Sequence, residues 1–440
     1  MIEKYKLYYR TFLVLFWGAM CWGFVTEEWL TFLDKLENVF FLGMDVILLV
    51  LGLCLLRTKK DFIVLLSYTL LALFSTCVLN QLSVLTVFNG SRDFFGLLFM
   101  VPVLTFFLTG ERADEFKAKF DRQLKIWLFI QAFCVTWQFV RHGANDWGGG
   151  SMGWGASGMV SMLIYLISYY LSVQNWDFDD YVGSLRRNKW NIILLYPTFL
   201  NETKISFVLL VMYFVLLYRP SRSAILKFVY VIPVIIGVGI GLINVYLNVT
   251  EQDADEVLTM DFIEDYFFGL ELEENIELAL MIQDGFFDDE LDPDNPWILD
   301  IQRIAKLQLI TEPLSKTEGG LMFGAGLGQF KGGTMVDQTP FMRTNKWLLQ
   351  GSRPWLFTVF VQLGFAGLIW FFTVFAFDCY TGVRRTPELT RMYVFLTGCL
   401  LLMLVYNEAL RYYYFCAAYF YLFFAIRRYK PSEALTDGYA

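Results

Sequence analysis

Long apolar runs recur along this chain and restrict it to one class of fold. A hydrocarbon core about 30 Å thick needs roughly 20 residues of helix at 1.5 Å each. Twelve candidate spans meet or approach that length, approximately 7–25, 40–56, 62–80, 94–109, 124–140, 156–173, 190–200, 204–218, 228–248, 355–377, 392–406 and 412–426. Hydrophobic residues are 56% of the 440 residues, more than soluble proteins carry. The sequence therefore predicts an all-α, polytopic membrane protein with about twelve transmembrane helices.

The basic residues predict how the chain is oriented, because loops rich in Lys and Arg are retained in the cytoplasm. With the N-terminus inside, 23 of the 35 basic residues fall on the inner side and five fall in short outer loops. Both termini are then cytoplasmic. The chain divides into helices over 1–248, one large outer loop over 249–354, and helices with a tail over 355–440.

The first half of the outer loop is acidic. Between Glu251 and Asp300 there is no Lys or Arg, which argues against nucleic acid or polyphosphate as a partner there. The acidic runs at 253–256 and 288–294 lack the twelve-residue loop with a central Gly and a terminal Glu that binds Ca²⁺. We expect a solvated acidic cap that the chemistry does not need.

The second half of the loop is cationic and rich in glycine. Apolar spacing from Asp300 to Leu314 predicts an amphipathic helix ended by Pro313, with Arg303 and Lys306 on its polar side. Glycines that allow tight turns or close approach to a ligand follow at positions 319, 320, 324, 326, 328, 332 and 333. The cations Lys316, Lys331, Arg343, Lys346 and Arg353 form a predicted belt at the outer mouth of the bundle. Such a belt suits an anionic head group, and contact with ordinary anionic lipid or with the acidic cap is the alternative.

Two irregular places in the membrane region hold charge. The run 190–200 is too short to cross a membrane, and Glu202 and Lys204 follow it. Charges at that depth are candidate functional groups, unless they only neutralise each other. Glu408 and Arg411 stand at i,i+3 in a short turn, where a local ion pair or a cation presented at the outer face is expected.

The residues that most often hold cofactors are sparse. The single histidine, His142 beside Arg141, excludes clustered imidazole ligands and is read as an interfacial polar residue. The seven cysteines all fall in predicted spans or at their inner edges, so neither a disulfide framework nor a thiolate metal site is indicated. No metal and no cofactor are predicted.

The order of these features along the chain is similar to that of a known family. A short seventh run with a cation near its outer turn precedes one large late loop. The loop and the span after it carry an arginine helix at Arg303, GAGLGQF from Gly324, Thr344-Asn345, and QLGFAG from Gln362 to Gly367. This architecture resembles the bacterial O-antigen polymerase and O-antigen ligase superfamily.

The resemblance implies a membrane glycosyltransferase with a fold like the C class, in the bacterial inner membrane, with 249–354 in the periplasm. Its members transfer glycans from undecaprenyl diphosphate. The implied activity is polymerisation of undecaprenyl-diphosphate-linked oligosaccharide repeats, with membrane lipid, a chain-length regulator and a flippase as further partners. Ligases carry His-Asn where this chain has Thr344-Asn345, which favours a polymerase over a ligase acting on lipid A-core. A flippase for the same lipid-linked sugars and a non-catalytic anchoring protein are the alternatives of other classes.

The predicted roles follow from charge. Cations can stabilise a departing diphosphate without a metal, and a carboxylate can orient or deprotonate the attacking hydroxyl. The catalytic candidates are Arg303, Lys204, Glu202 and Glu408. The substrate-binding candidates are Arg343, Arg411, Lys316, Gly319, Gly324, Gly326, Gly328 and Asn345.

Overall fold

The computed structural model describes residues 2–143, 148–177, 180–201, 205–217, 303–330, 337–380 and 387–427. Within these ranges all regular structure is helical. The N-terminal helices are α1 Ile2–Phe24, α2 Glu37–Leu55, α3 Lys59–Leu73, α4 Val84–Ser91, α5 Phe95–Thr109, α6 Ala113–His142, α7 Ser157–Val173, α8 Tyr181–Arg187, α9 Lys189–Ile193, α10 Pro197–Leu200 and α11 Ile205–Leu217. Two π-helical turns, Val25–Trp29 and Phe74–Leu79, extend α1 and α3.

The helices of the C-terminal part include several short ones before the final bundle helices. They are α12 Arg303–Leu309, α13 Thr311–Ser315, α14 Gly320–Phe323, α15 Pro340–Thr344, α16 Lys346–Leu349, α17 Trp355–Tyr380, α18 Pro387–Tyr406 and α19 Tyr413–Arg427. Short 3₁₀ turns lie at Thr31–Leu36, Arg92–Phe94, Gly150–Met152 and Ala409–Arg411.

Among the described residues, four helical stretches are long and apolar enough to cross a membrane. They are Glu37–Leu55, Lys59–Leu79, Val84–Thr109 and Trp355–Ala376. Shorter apolar helices cover Ser157–Val173, Ile205–Leu217, Thr390–Tyr406 and Tyr413–Ile426. The described chain is thus all-helical, as predicted, and compatible with a membrane-embedded protein. The full set of twelve spans stays a prediction, and the predicted span 228–248 lies outside the described residues.

The run 190–200 is divided between two short helices. Lys189–Ile193 and Pro197–Leu200 are separated by a turn, and Pro197 stands at the first position of the second helix, where its missing N–H costs no hydrogen bond. Glu202 and Lys204, the catalytic candidates that follow, lie outside the described residues.

The predicted helix of the cationic half differs from the structure. Helix α12 ends at Leu309, and α13 resumes at Thr311 with Pro313 inside it. Pro313 does not end a helix because it occupies the first turn of α13, where backbone N–H groups have no intrahelical acceptor in any case. The polar side of α12 is not solvent-facing either, since Lys306 is fully buried.

The core of the bundle surrounds its last helix. Residues 413–426 of α19 are all buried, and the helix packs against α5 and α7. A helix enclosed on every side has no polar face, which explains why Tyr413 to Ile426 is apolar all round. The turn that leads into α19, residues 407–412, therefore lies at the edge of this buried core.

Candidate functional site

A carboxylate lies between two arginines in the turn between α18 and α19. Glu408 Oε1 accepts hydrogen bonds from Arg353 Nη2 at 3.0 Å and from Arg411 Nη1 at 2.9 Å. Arg353 Nε also donates to Glu408 Oε2 at 3.2 Å. The three side chains are 13% to 18% exposed, so the charges meet largely out of water. The predicted Glu408–Arg411 pair is confirmed, and Arg353 joins it.

A second carboxylate reaches the same place from the N-terminal half. Asp93, 1% exposed, lies in the 3₁₀ turn between α4 and α5, and its Oδ1 accepts a hydrogen bond from Arg411 Nε at 2.8 Å. Arg411 therefore bridges Asp93 and Glu408, and its Nη2 group donates no hydrogen bond to the described residues. We call Asp93, Arg353, Glu408 and Arg411 the arginine cluster.

Glu408 and Arg411 carry opposite charges at neutral pH. Burial acts to raise the pKa of Glu408, but the guanidinium groups of Arg353 and Arg411 outweigh it and hold that pKa below its ordinary value. Burial acts to lower the pKa of Arg411, whereas Asp93 and Glu408 raise it well above its ordinary value. A carboxylate held this way is a weak proton acceptor, so Glu408 is better suited to orienting guanidinium groups than to acting as a base.

Helix α12 adds two more cations beside the cluster. The Arg303 guanidinium lies over the ring of Tyr406, 4.3 Å from its centroid, two residues before Glu408. Lys306 Nζ donates hydrogen bonds to the carbonyl oxygens of Gln350 at 2.5 Å and Ser352 at 3.0 Å. Ser352 directly precedes Arg353. Both cations of α12 thus contact chain segments that carry the cluster.

The glycine-rich segment 319–328 packs against the bundle. The N–H of Ala325 donates to Val361 O at 2.8 Å, where α17 is interrupted by Gly364 with φ 61°. Gly324, with φ 72°, leaves no room for a side chain, because a Cβ there would lie 2.7 Å from Val361 O. A Cβ on Gly326 would face Thr76, and one on Gly328 would face Thr86.

Polar side chains of α3 and α17 hold this segment in place. The π-helical turn after α3 carries Ser75, whose Oγ donates to Phe323 O at 2.6 Å, and Thr76, whose Oγ1 accepts from Leu327 N at 2.9 Å. Gln362, fully buried in α17, accepts from Gly328 N at 2.9 Å and donates to Asp93 Oδ2 at 3.4 Å. The segment is thereby connected to the arginine cluster through one side chain.

A cavity of about 420 Å³ lies beside the same segment. Residues of helices α12, α13, α15 and α16, of the segment itself and of the loop before α4 line it. The side chains that line it include amides, hydroxyls, carboxylates and aromatic rings, namely Asn80, Glu312, Lys316, Thr317, Glu318, Gln329, Thr339, Phe341, Thr344, Asn345 and Trp347. We call it the α12–α16 cleft.

The structure divides the sequence-predicted site residues between these places. Glu408, Arg411 and Arg303 lie at or beside the arginine cluster, whereas Lys316 and Asn345 line the cleft. Arg343 is exposed, and its Nε donates to Gln338 O at 3.0 Å. The glycines predicted to approach a ligand, Gly319, Gly324, Gly326 and Gly328, each have protein atoms where a Cβ would stand.

Sequence reasoning missed Asp93, placed Arg353 only in the predicted cation belt, and gave Gln362 no site role. The sequence could have indicated Asp93, because it is a carboxylate at the edge of the apolar run 94–109 and ionisable groups in membrane segments are often functional. Within the described ranges, no three His, Cys, Asp or Glu side chains are grouped as metal ligands.

Comparison of the chain with protein-family models, with curated proteins and with solved structures found no match.

Proposed function

We propose that this protein is a membrane glycosyltransferase that polymerises undecaprenyl-diphosphate-linked oligosaccharide repeats at the outer face of the bacterial inner membrane. The finer architecture belongs to the same proposal: about twelve spans, cytoplasmic termini, a periplasmic loop over 249–354 and a fold like that of C-class glycosyltransferases. The observation that carries the proposal is the pair of arginines held on one carboxylate, with Arg411 Nη2 uncommitted among the described residues.

This arrangement suits the charge that develops on a diphosphate leaving group. Each guanidinium presents N–H groups in a planar fork that matches phosphate oxygens, and Glu408 keeps two such forks side by side. Partial burial strengthens the attraction relative to water. The guanidinium groups then neutralise the developing negative charge, as a divalent cation does in other transferases of phosphorylated substrates.

The proposed reaction is a displacement at the anomeric carbon of the donor. The bond from that carbon to the diphosphate oxygen breaks, and its electron pair leaves with undecaprenyl diphosphate. The acceptor hydroxyl oxygen forms the new bond, and its proton passes to a carboxylate. Because Glu408 is engaged by Arg353 and Arg411, Glu202 is the better candidate for that carboxylate.

The test is chain extension by the purified full chain in lipid nanodiscs, supplied with undecaprenyl-diphosphate-linked repeat extracted from the cells of origin. We expect wild type to form a ladder of longer glycans and Arg411→Gln to lower its rate about a hundredfold, the usual effect of removing one donor from a developing anion. Arg411→Lys, which keeps charge without the fork, should fall between them.

The matched control is Arg141→Gln, which removes an arginine from a different ion pair, with Glu28. We expect it to stay within about twofold of wild type, as substitutions away from the reacting groups usually do. An inactive wild-type protein, or an Arg411→Gln protein as active as the control, would refute the proposal.

A further inference from the structure

The α12–α16 cleft has the dimensions and lining of a ligand pocket. Its volume of about 420 Å³ falls within the range of about 300 to 1,000 Å³ that small-molecule sites occupy. Phe341 and Trp347 are half-buried in its lining, which gives a ligand aromatic surface to pack against. What the cleft can bind is decided by its polar atoms.

The amide donors of the cleft are already used within the protein. Asn80 Nδ2 donates to Ser75 O at 2.8 Å and to Gly324 O at 3.0 Å. Gln329 Nε2 donates to Ala325 O at 2.6 Å and to Gly326 O at 3.2 Å. Asn345 Nδ2 donates to Phe341 O at 3.0 Å. Since an amide carries only two N–H bonds, Asn80 and Gln329 have none left for a ligand.

The hydroxyl protons of the cleft are used as well. Thr317 Oγ1 donates to Leu314 O at 2.8 Å, Thr344 Oγ1 donates to Pro340 O at 3.2 Å, and Thr339 Oγ1 donates to Gln329 Oε1. These groups retain oxygen lone pairs. The amides and hydroxyls of the cleft therefore offer a ligand more acceptors than donors, so they favour a ligand that brings many donors.

The charged side chains of the lining also favour an uncharged ligand. Glu312 and Lys316 form an exposed pair at 2.8 Å, and the hydrogen bond from Lys316 lowers the pKa of Glu312, which keeps that carboxyl ionised. Glu318 adds a further carboxylate to the lining. The charges of Glu312 and Lys316 offset each other, so Glu318 repels an anionic ligand, whereas a neutral polyol meets no repulsion.

We infer that the α12–α16 cleft binds an uncharged, hydroxyl-rich saccharide and discriminates against uronic acids and phosphorylated sugars. Leu309 lines the cleft, and Arg303, at the other end of the same helix, lies beside the arginine cluster. Six residues of helix at 1.5 Å each place these ends about 9 Å apart. That the α12–α16 cleft binds the neutral part of an acceptor glycan rests on the proposed function.

The test is saturation-transfer NMR on the detergent-purified full chain with matched pairs of probes: the methyl glycosides of glucose, galactose and N-acetylglucosamine, and the methyl glycosides of glucuronic and galacturonic acid. We expect at least one neutral glycoside to bind at least fivefold more tightly than either uronide. The absence of binding by all neutral glycosides, or equal binding by a uronide, overturns the inference.

Three variants locate the binding. Trp347→Ala should weaken neutral binding at least fivefold, and Trp347→Phe, which keeps an aromatic ring, should weaken it less. Glu318→Lys should strengthen uronide binding at least threefold, a gain that a misfolded protein cannot produce. Glu115→Lys is its matched control, because Glu115 is an exposed carboxylate on α6, paired with Lys119 outside the cleft.

Each result has one meaning. Unchanged binding in Trp347→Ala, or equal effects of Glu318→Lys and Glu115→Lys, would place the saccharide elsewhere and overturn the inference. Neutral binding at the cleft by a protein that never extends chains would refute the proposed function and leave the cleft's ligand class standing. Chain extension by a protein whose cleft shows no preference for neutral glycosides would refute the ligand class of the cleft and leave the proposed function standing.

Discussion

Glu28 and Glu408 each contact two basic side chains next to a glycine-containing segment. Glu28, 1% exposed, pairs with Arg141 Nη1 at 2.8 Å and lies 3.1 Å from His142 Nε2, and those two side chains are 52% and 33% exposed. At Glu408 the partners Arg353 and Arg411 are only 13% and 17% exposed. We call the first set the Glu28 cluster.

The two clusters are supported in the same way. In the Glu28 region the buried Gln138 accepts a hydrogen bond from Gly150 N at 2.8 Å, and beside the arginine cluster the buried Gln362 accepts one from Gly328 N at 2.9 Å. The exposure of the basic side chains differs, and Asp93 joins only the arginine cluster. At Glu28 water already solvates Arg141, whereas at Glu408 both arginines are largely held out of water, where an anionic ligand gains most from meeting them.

The largest expected contrast is in stability when the carboxylate is neutralised. Glu408→Gln removes the carboxylate that Arg353 and Arg411 share and leaves Arg411 with Asp93, and we expect a loss of about 3 kcal/mol in the free energy of unfolding. Glu28→Gln leaves Arg141, which reaches water, and we expect a loss of about 1 kcal/mol. Denaturant unfolding of both variants in detergent measures the difference. Equal losses would mean that enclosure of the cations does not distinguish the clusters.

Substitutions of Gln362 and Gln138 should differ little in their effect on stability and clearly in their effect on activity. Gln362→Leu and Gln138→Leu each leave a buried glycine N–H without its acceptor, so each should lose about 2 kcal/mol. Only Gln362 also contacts Asp93, which holds Arg411. Chain extension per folded molecule should therefore fall in Gln362→Leu and stay at the wild-type rate in Gln138→Leu. A comparable fall in both would assign the effect to loss of packing.

The smallest effect is the pH dependence of the Glu408 contribution. The arginines lower the folded-state pKa of Glu408 below its ordinary 4.5, so its stabilising effect is complete above that value and is lost as pH falls through the lower folded pKa. The difference in unfolding free energy between wild type and Glu408→Gln should be constant from about pH 8 to about pH 5 and shrink below about pH 4.5. A difference that declined between pH 8 and pH 5 would contradict the lowered pKa.

The local parts of this site follow from the sequence. The Glu408–Arg411 pair was predictable because residues at i,i+3 in a tight turn face each other whatever surrounds them. The interruption near Pro197 was predictable because the apolar run is shorter than a membrane is thick. Both depend only on neighbours within a few positions of the chain.

The glycines show where such reasoning fails. Glycine in a polar loop fits equally well a turn that approaches a ligand and a turn that packs against its own protein. At Gly324 and Gly364 the structure has the second arrangement, because each faces backbone of the other's segment. The local sequence around each glycine does not include the distant backbone segment that it faces.

By itself, the sequence determined an all-helical chain with membrane-compatible helices, because apolar composition and run length act locally and do not depend on which helices are neighbours. Only the tertiary structure decided that Asp93, Arg353 and Gln362 converge on Arg411 and Glu408, since these residues come from turns and helices as far apart as α4 and α19. Contacts of that separation depend on how the helices pack, and helix packing is set by shape across the whole bundle. For the same reason the predicted cation belt is divided, because Arg353 lies in the arginine cluster whereas Lys316 lines the α12–α16 cleft.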